Sequence, residues 1–220
     1  MDSSDPGAPD DDILKPRDHR VPVVDRFQNT RQPDWDWWGR LWPTPGETLR
    51  LLGLGPDTSL VEVGSGNGYF ALPAARVVEP APVYAIDLDG GLLAELARLA
   101  ALQGIENVHP IRGDARGLSR YLAEPVDVCL LANTFHGVEE PGPLVAGVYR
   151  SLAAGGSFVV VNWHDRPREE TTLDGEPRGP PPSLRLSPSA TERRVTEAAD
   201  FTLVRELDLP PYHYGLVFER

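Results

Sequence analysis

The segment Leu60 to Phe70 reads LVEVGSGNGYF, with Glu62 inside an apolar β-branched run and Gly64, Gly66 and Gly68 following at alternate positions. A carboxylate within a buried strand is costly unless something pairs with it. A glycine-rich turn from strand to helix brings backbone N–H groups and a helix N-terminus close to a ligand, because glycine interposes no side chain. The combination points to a nucleotide-like ligand, with a tight turn that binds nothing as the alternative. The dinucleotide fingerprint G-x-G-x-x-G would need its third glycine where Tyr69 stands, which counts against a nicotinamide cofactor. His136 is the candidate general base, since an imidazole titrates near neutrality; otherwise it caps the following helix or bonds to backbone. Asn133 either meets a ligand or forms a turn.

These residues need a scaffold that brings them together. TSLVEV, PVYAID, NVHPIR, VDVCLLA and SFVVVNW are short, nearly continuous apolar runs, as expected of strands covered on both faces. Between them, Leu92, Leu96 and Leu99 mark one face of a helix ended by Gly104, and Leu144, Val148 and Leu152 mark another ended by Gly155-Gly156. Strand alternating with helix gives βαβ units around a parallel sheet. Pro45 starts a helix that leads into the first strand. Ser187 and Pro188 read as the N-cap and first position of a helix to about Ala199. FTLVRELDL and YHYGLVFER close the chain as two strands that pair antiparallel.

The series resembles the class I S-adenosylmethionine-dependent methyltransferases over about residues 45 to 220. VEVGSGNG is similar to that family's first motif, in which the glycine loop approaches the methionine part of the cofactor and the acid organises the loop. The resemblance implies that Glu62, Gly64, Ser65, Gly66 and Gly68 serve S-adenosyl-L-methionine. It makes Asp87, with Leu88 beside it, the acid that accepts from both ribose hydroxyls, with Asp89 as the less favoured substitute. Asp114 and Ala115, in RGDA, then stand near the adenine, and Asn133 and His136 lie in the loop beside the transferable methyl. The implied fold is α/β, a Rossmann-like seven-stranded mostly parallel sheet flanked by helices, with an antiparallel C-terminal strand and the order 3-2-1-4-5-7-6. FHGV, GPPP and YHYGLVF look most like the small methyltransferases grouped near the quinone-biosynthesis C-methylases (the type 11 group), which does not transfer a substrate. ANTF lacks the Asn/Asp-Pro-Pro-aromatic sequence of the amino-methylating branch. Asn133 stands where catechol-type enzymes place a metal-binding aspartate, so no metal is expected.

Residues 27–42, FQNTRQPDWDWWGRLW, hold four tryptophans that form either an aromatic lid or a packed N-terminal helix; Trp42 is the one expected to face the cofactor. Tyr212 and Tyr214, or else His213, could line an acceptor pocket, because strand alternation sends the two sets to opposite faces. The Pro- and Arg-rich stretch after Trp163 is too long for an ordinary connector, and its Gly179-Pro180-Pro181-Pro182 either walls the pocket or stays solvated. Residues 1–25 lack periodicity and are expected to be disordered. The single domain is expected over 26–220, with 26–56 as a helical cap and 57–220 as the cofactor-binding core.

With 33 acids against 21 Lys and Arg and a net charge of −12, the chain repels polyanions. A small-molecule acceptor is therefore expected, without nucleic acid or membrane, in a monomer or homodimer. No signal peptide is legible, which suggests a cytoplasmic location. Cys129 is the only cysteine, so no internal disulfide forms, and it reads as a buried thiol. The competing functions are a cofactor-binding regulatory protein without transfer activity and, less favoured, a nicotinamide-dependent oxidoreductase.

Overall fold

The computed structural model describes residues 32–220. The tail expected at 1–25 and the start of the tryptophan-rich segment lie outside the described residues. In chain order the regular elements are α1 (Trp35–Leu41), α2 (Pro45–Leu51), β1 (Leu60–Val63), α3 (Ala71–Val78), β2 (Val83–Asp87), α4 (Gly90–Gln103) and β3 (Val108–Arg112). There follow β4 (Val126–Ala132), α5 (Pro141–Ser151), β5 (Leu152–Trp163), β6 (Thr172–Leu173), β7 (Glu176–Pro177), α6 (Pro188–Thr196), β8 (Thr202–Leu209) and β9 (His213–Glu219).

Seven strands form one sheet in the order β3-β2-β1-β4-β5-β9-β8, with β6 and β7 as a separate hairpin. Leaving the hairpin aside, this is the expected order 3-2-1-4-5-7-6. β1 to β5 are parallel, while β9 runs antiparallel to both β5 and β8. The connections reverse direction between β1 and β4, and the crevice beyond the carboxyl ends of these strands is where open α/β sheets take ligands.

Period-2 alternation splits the core into two layers. Leu60, Val128, Leu130 and Val159 pack on one face with α2, α3 and α4. Val61, Val63, Cys129, Leu131 and Val160 pack on the other with α5 and α6. Every residue of β1 is buried, which is why that strand reads as a continuous apolar run broken only by Glu62.

Three helix details differ from expectation. The buried stripe of α4 is Leu93, Leu96 and Ala100: Leu96 is as expected, whereas Leu93 and Ala100 take the places expected of Leu92 and Leu99, and Leu92 turns towards the crevice. α5 stops at Ser151, whose Oγ bonds back to the Gly147 carbonyl, and Leu152 already pairs with Val126 in β5. α6 ends at Thr196 rather than near Ala199, and Ser187 does cap it by accepting the N–H of Ala190.

Candidate functional site

A cavity of about 440 Å³ opens at the carboxyl ends of β1 and β4. β1 delivers Glu62 and Val63 to its edge, and the chain then turns with φ of +72° at Gly64 and +55° at Gly66. The N–H groups of Gly64 and Ser65 both donate to the Ile86 carbonyl at 2.8 and 3.2 Å, pinning the turn to the neighbouring strand. Glycine is required at position 64: besides the positive φ, a Cβ there would lie 2.9 Å from Thr134 Oγ1.

Asp87, the last residue of β2, ties this turn to the start of the next. Its Oδ2 accepts the Gly66 N–H at 2.9 Å and its Oδ1 accepts the Asp89 N–H at 2.8 Å. Asp87 also lines the cavity. Asp89 caps α4 through the N–H groups of Gly91 and Leu92.

Alternation along β1 points Glu62 to the Leu60 face, towards the start of α3, where its carboxyl accepts the Ala71 N–H. Burial, and secondly the nearby Asp87 carboxylate, push its pKa well above the usual glutamate range, with the Ala71 bond opposing. Oε2 is buried and has no hydrogen-bond partner among the described residues. Because the folded-state pKa is raised, the unfolded chain loses this proton first. Stability from the neutral carboxyl is therefore full below the unfolded value near 4.3 and falls as pH rises above it. Glu62→Gln keeps the shape and removes the titration. The variant should melt at or above the wild-type temperature at pH 7, and the gap should shrink towards pH 4; a gap independent of pH across melting curves would show that Glu62 does not titrate in this way.

Asp114 and Ala115 line the cavity from the turn after β3. The guanidinium and N–H of Arg116 bond to the Asp114 carboxylate, with Nε 2.9 Å away, and hold it below the usual carboxylate range. After β4, Asn133 takes φ +55° and donates its N–H to the Val161 carbonyl. Its side-chain Oδ1 and Nδ2 are both buried without a hydrogen-bond partner among the described residues, and it lines the cavity. The turn and the cavity-lining position thus coincide in one residue. His136, in the short 3-10 turn that follows, is buried, lines the cavity, and places Nδ1 3.1 Å from Asn162 Oδ1 on β5. The tautomer protonated at Nδ1 is the one that can donate to this oxygen, and it leaves Nε2 as the basic nitrogen.

The other wall comes from elements the sequence left open. Trp37 and Trp38 of α1, Trp163 at the end of β5, and Arg168, Arg178 and Pro180 of the following segment enclose the remaining side. That segment is organised by Arg185, which is 7% exposed. Its guanidinium donates to the carbonyls of Arg166, Arg178 and Pro180 and to Thr171 Oγ1, all at 2.9 to 3.0 Å. Gly179, at φ +83°, lies so close to Trp163 that a Cβ would meet the indole at 2.8 Å. Gly179 and Pro180 do wall the cavity, whereas Pro181 and Pro182 do not.

Two expected cofactor residues fall outside the lining. Trp42 is buried against Phe70 and His213, with ring centroids 5.3 and 4.5 Å apart, and only its carbonyl reaches out, to the Tyr69 hydroxyl. It shares a helix face with Trp38 at i,i+4, and that face packs into the core. Gly68 serves close packing: a Cβ there would sit 2.8 Å from Leu96. None of Tyr212, His213 and Tyr214 lines the cavity. Tyr212 precedes β9 and so escapes its alternation: it stacks on Trp163 beside His213, while Tyr214 points to the opposite face and bonds Thr191 Oγ1. His213 is fully buried among tryptophans, and burial, then His164, hold its pKa well below the histidine range. No group of three His, Cys, Asp or Glu side chains that could hold a metal is found among the described residues, nor any helix long and apolar enough to cross a membrane.

Residues 61–160 match the family model described as a methyltransferase domain. Over these residues the chain is similar to the methyltransferase domains, the family the sequence motifs resemble. S-adenosylmethionine is that family's cofactor, and the cavity suits it: a bare glycine turn, Asp87, and the unsatisfied polar atoms of Glu62, Ser65 and Asn133 meet there. A crystal structure of a SAM-dependent methyltransferase from Aquifex aeolicus superposes with a TM-score of 0.70 at 22% identity, covering 82% of this chain and 92% of that one. Two curated proteins are also similar. A tRNA (guanine(6)-N2)-methyltransferase of Thermus thermophilus is 39% identical over 54% of this chain and 35% of its own length. A protein-L-isoaspartate O-methyltransferase of Paracoccus denitrificans is 32% identical over 52% of this chain and 49% of its own length. The match thus spans about a third and about half of these two relatives, whose names give different acceptors.

Proposed function

We propose that the protein transfers a methyl group from S-adenosylmethionine to a small-molecule acceptor. The observation that carries this reading is the convergence, on one cavity, of the glycine turn, Asp87 and the buried unsatisfied polar atoms of Glu62, Ser65 and Asn133. Backbone from Gly64 to Gly66 holds the donor, Asp87 with Leu88 takes its ribose, and Asp114 with Ala115 takes its purine. When bound, S-adenosylmethionine supplies an electrophilic methyl on a sulfonium. Holding a nucleophile in line with such a group can be worth roughly 7 to 11 kcal/mol, and this chain's walls do the aligning. His136, fixed by Asn162, accepts the acceptor's proton at Nε2. The net charge of −12 supports a small acceptor over a nucleic acid, whose phosphates it repels.

Calorimetry with S-adenosylhomocysteine and, separately, NADH tests the donor assignment. S-adenosylhomocysteine should bind and NADH should not; the reverse result overturns the proposal. Asp87→Ala should weaken S-adenosylhomocysteine by about 10- to 150-fold, the loss of hydrogen bonds to a charged group worth roughly 1.5 to 3 kcal/mol. Unchanged affinity would remove Asp87 from the ribose.

A further inference from the structure

The cavity wall built by the segment after β5 carries two guanidinium groups with no ion-pair partner among the described residues. Arg168 and Arg178 both line the cavity. Arg168 makes one long bond to the Pro177 carbonyl, at 3.4 Å. Arg178 lies over the Trp37 ring, 5.0 Å from its centroid, with its Nε buried and lacking any hydrogen-bond partner among the described residues.

This does not follow from a shortage of acids. The chain has 33 carboxylate side chains against 21 Lys and Arg, and the same segment holds Asp165, Glu169, Glu170, Asp174 and Glu176. Arg40 and Arg116 find acidic partners, Asp174 and Asp114. Among the described residues, no carboxylate forms an ion pair with Arg168 or Arg178, although acids flank both in sequence. Arg185 adds a third guanidinium nearby, stacked 5.4 Å from the centre of Trp163, with all its contacts going to backbone carbonyls and one hydroxyl. The Arg168 charge is close enough to lower the Arg185 pKa, after burial as the larger cause. A buried donor without a partner is costly and clustered cations repel one another; an anion that enters the cavity offsets the repulsion. The indoles of Trp37, Trp38 and Trp163 give the same wall flat apolar surfaces. A guanidinium fork matches a carboxylate in two parallel hydrogen bonds.

We propose that the acceptor is a small aromatic or conjugated carboxylic acid, its carboxylate held by Arg178 and Arg168 and its ring packed against the tryptophans of the wall. This rests on the methyl-transfer reading for the name acceptor, but the binding chemistry stands on the wall residues alone. A carboxylate gripped in this way is a poor nucleophile, so the methylated atom is elsewhere on the same molecule.

The test uses the full chain with hydroxybenzoates and the matching hydroxybenzamides as probes, by calorimetry with and without S-adenosylhomocysteine. At least one acid should bind about tenfold or more tightly than its amide. Arg178→Gln and Arg168→Gln should each erode that preference while S-adenosylhomocysteine affinity, which reports a folded donor site, stays within about twofold. Equal binding of acid and amide, an acid preference that survives in both variants, or no acid binding to a protein that binds S-adenosylhomocysteine overturns the inference. Methylation of a tRNA transcript by a protein that binds no acid does so too. Failure to bind S-adenosylhomocysteine while the acid preference holds strikes at the donor assignment instead.

Discussion

Arg185→Ala is expected to lower the melting temperature by roughly 6 °C or more and to open residues 164–184 to proteases. The wild-type side chain, nearly inaccessible, donates to Arg166 O, Arg178 O, Pro180 O and Thr171 Oγ1. Each hydrogen bond to a charged group contributes about 1.5 to 3 kcal/mol, so even two of them exceed about 3 kcal/mol. In a chain of this size that converts to roughly 2 to 4 °C per kcal/mol. The segment between β5 and α6 has little other internal support, a two-residue-per-strand hairpin and short 3-10 turns. If the segment detaches locally, the melting shift will be smaller and the proteolysis larger, since local opening costs less than global unfolding. Arg185→Lys should recover little, because a single ammonium cannot reach carbonyls in the several directions of a planar fork. A variant that melts within about 1 °C of wild type and resists proteolysis in this segment would show that other contacts hold the wall.

His136→Ala is expected to cut kcat by about 10²- to 10⁴-fold, the usual worth of a positioned base, with S-adenosylhomocysteine affinity nearly unchanged. The acid limb that a titrating base imposes on the kcat profile should vanish with it. Under the proposed mechanism Asn162 is a positioning residue: with Oδ1 3.1 Å from His136 Nδ1, it favours the tautomer whose Nε2 takes a proton. Asn162→Ala should therefore lose less rate than His136→Ala and shift the pH profile, which a purely structural role would not do. A His136→Ala protein that turns over its acceptor at close to the wild-type rate reduces the imidazole to scaffolding.

The strands and the glycine turn at the cavity were legible because their signals are local. A strand covered on both faces must be apolar throughout, so five runs were readable and Glu62 stood out as the polar exception, while the strand order came from the family resemblance. Gly64 and Gly66 announced a turn that only residues without a side chain adopt readily at φ +72° and +55°. The same local logic does not account for Trp42 and Gly68, which fall outside the cavity lining, because a sequence pattern cannot tell a face that meets a ligand from one that meets Phe70, His213 or Leu96. It also extended strand alternation to Tyr212, which lies one residue before β9.

What the amino-acid order determined by itself was therefore the α/β scaffold, the glycine turn and the acids at the strand ends. The tertiary structure alone decided the wall. Trp37, Trp163 and Arg178 come from separate parts of the chain, and Arg185 reaches carbonyls 5 to 19 residues away. His136 meets Asn162 across 26 residues. Such contacts leave no periodicity, because an arginine that bonds to backbone carbonyls through space looks, in sequence, like one that faces water.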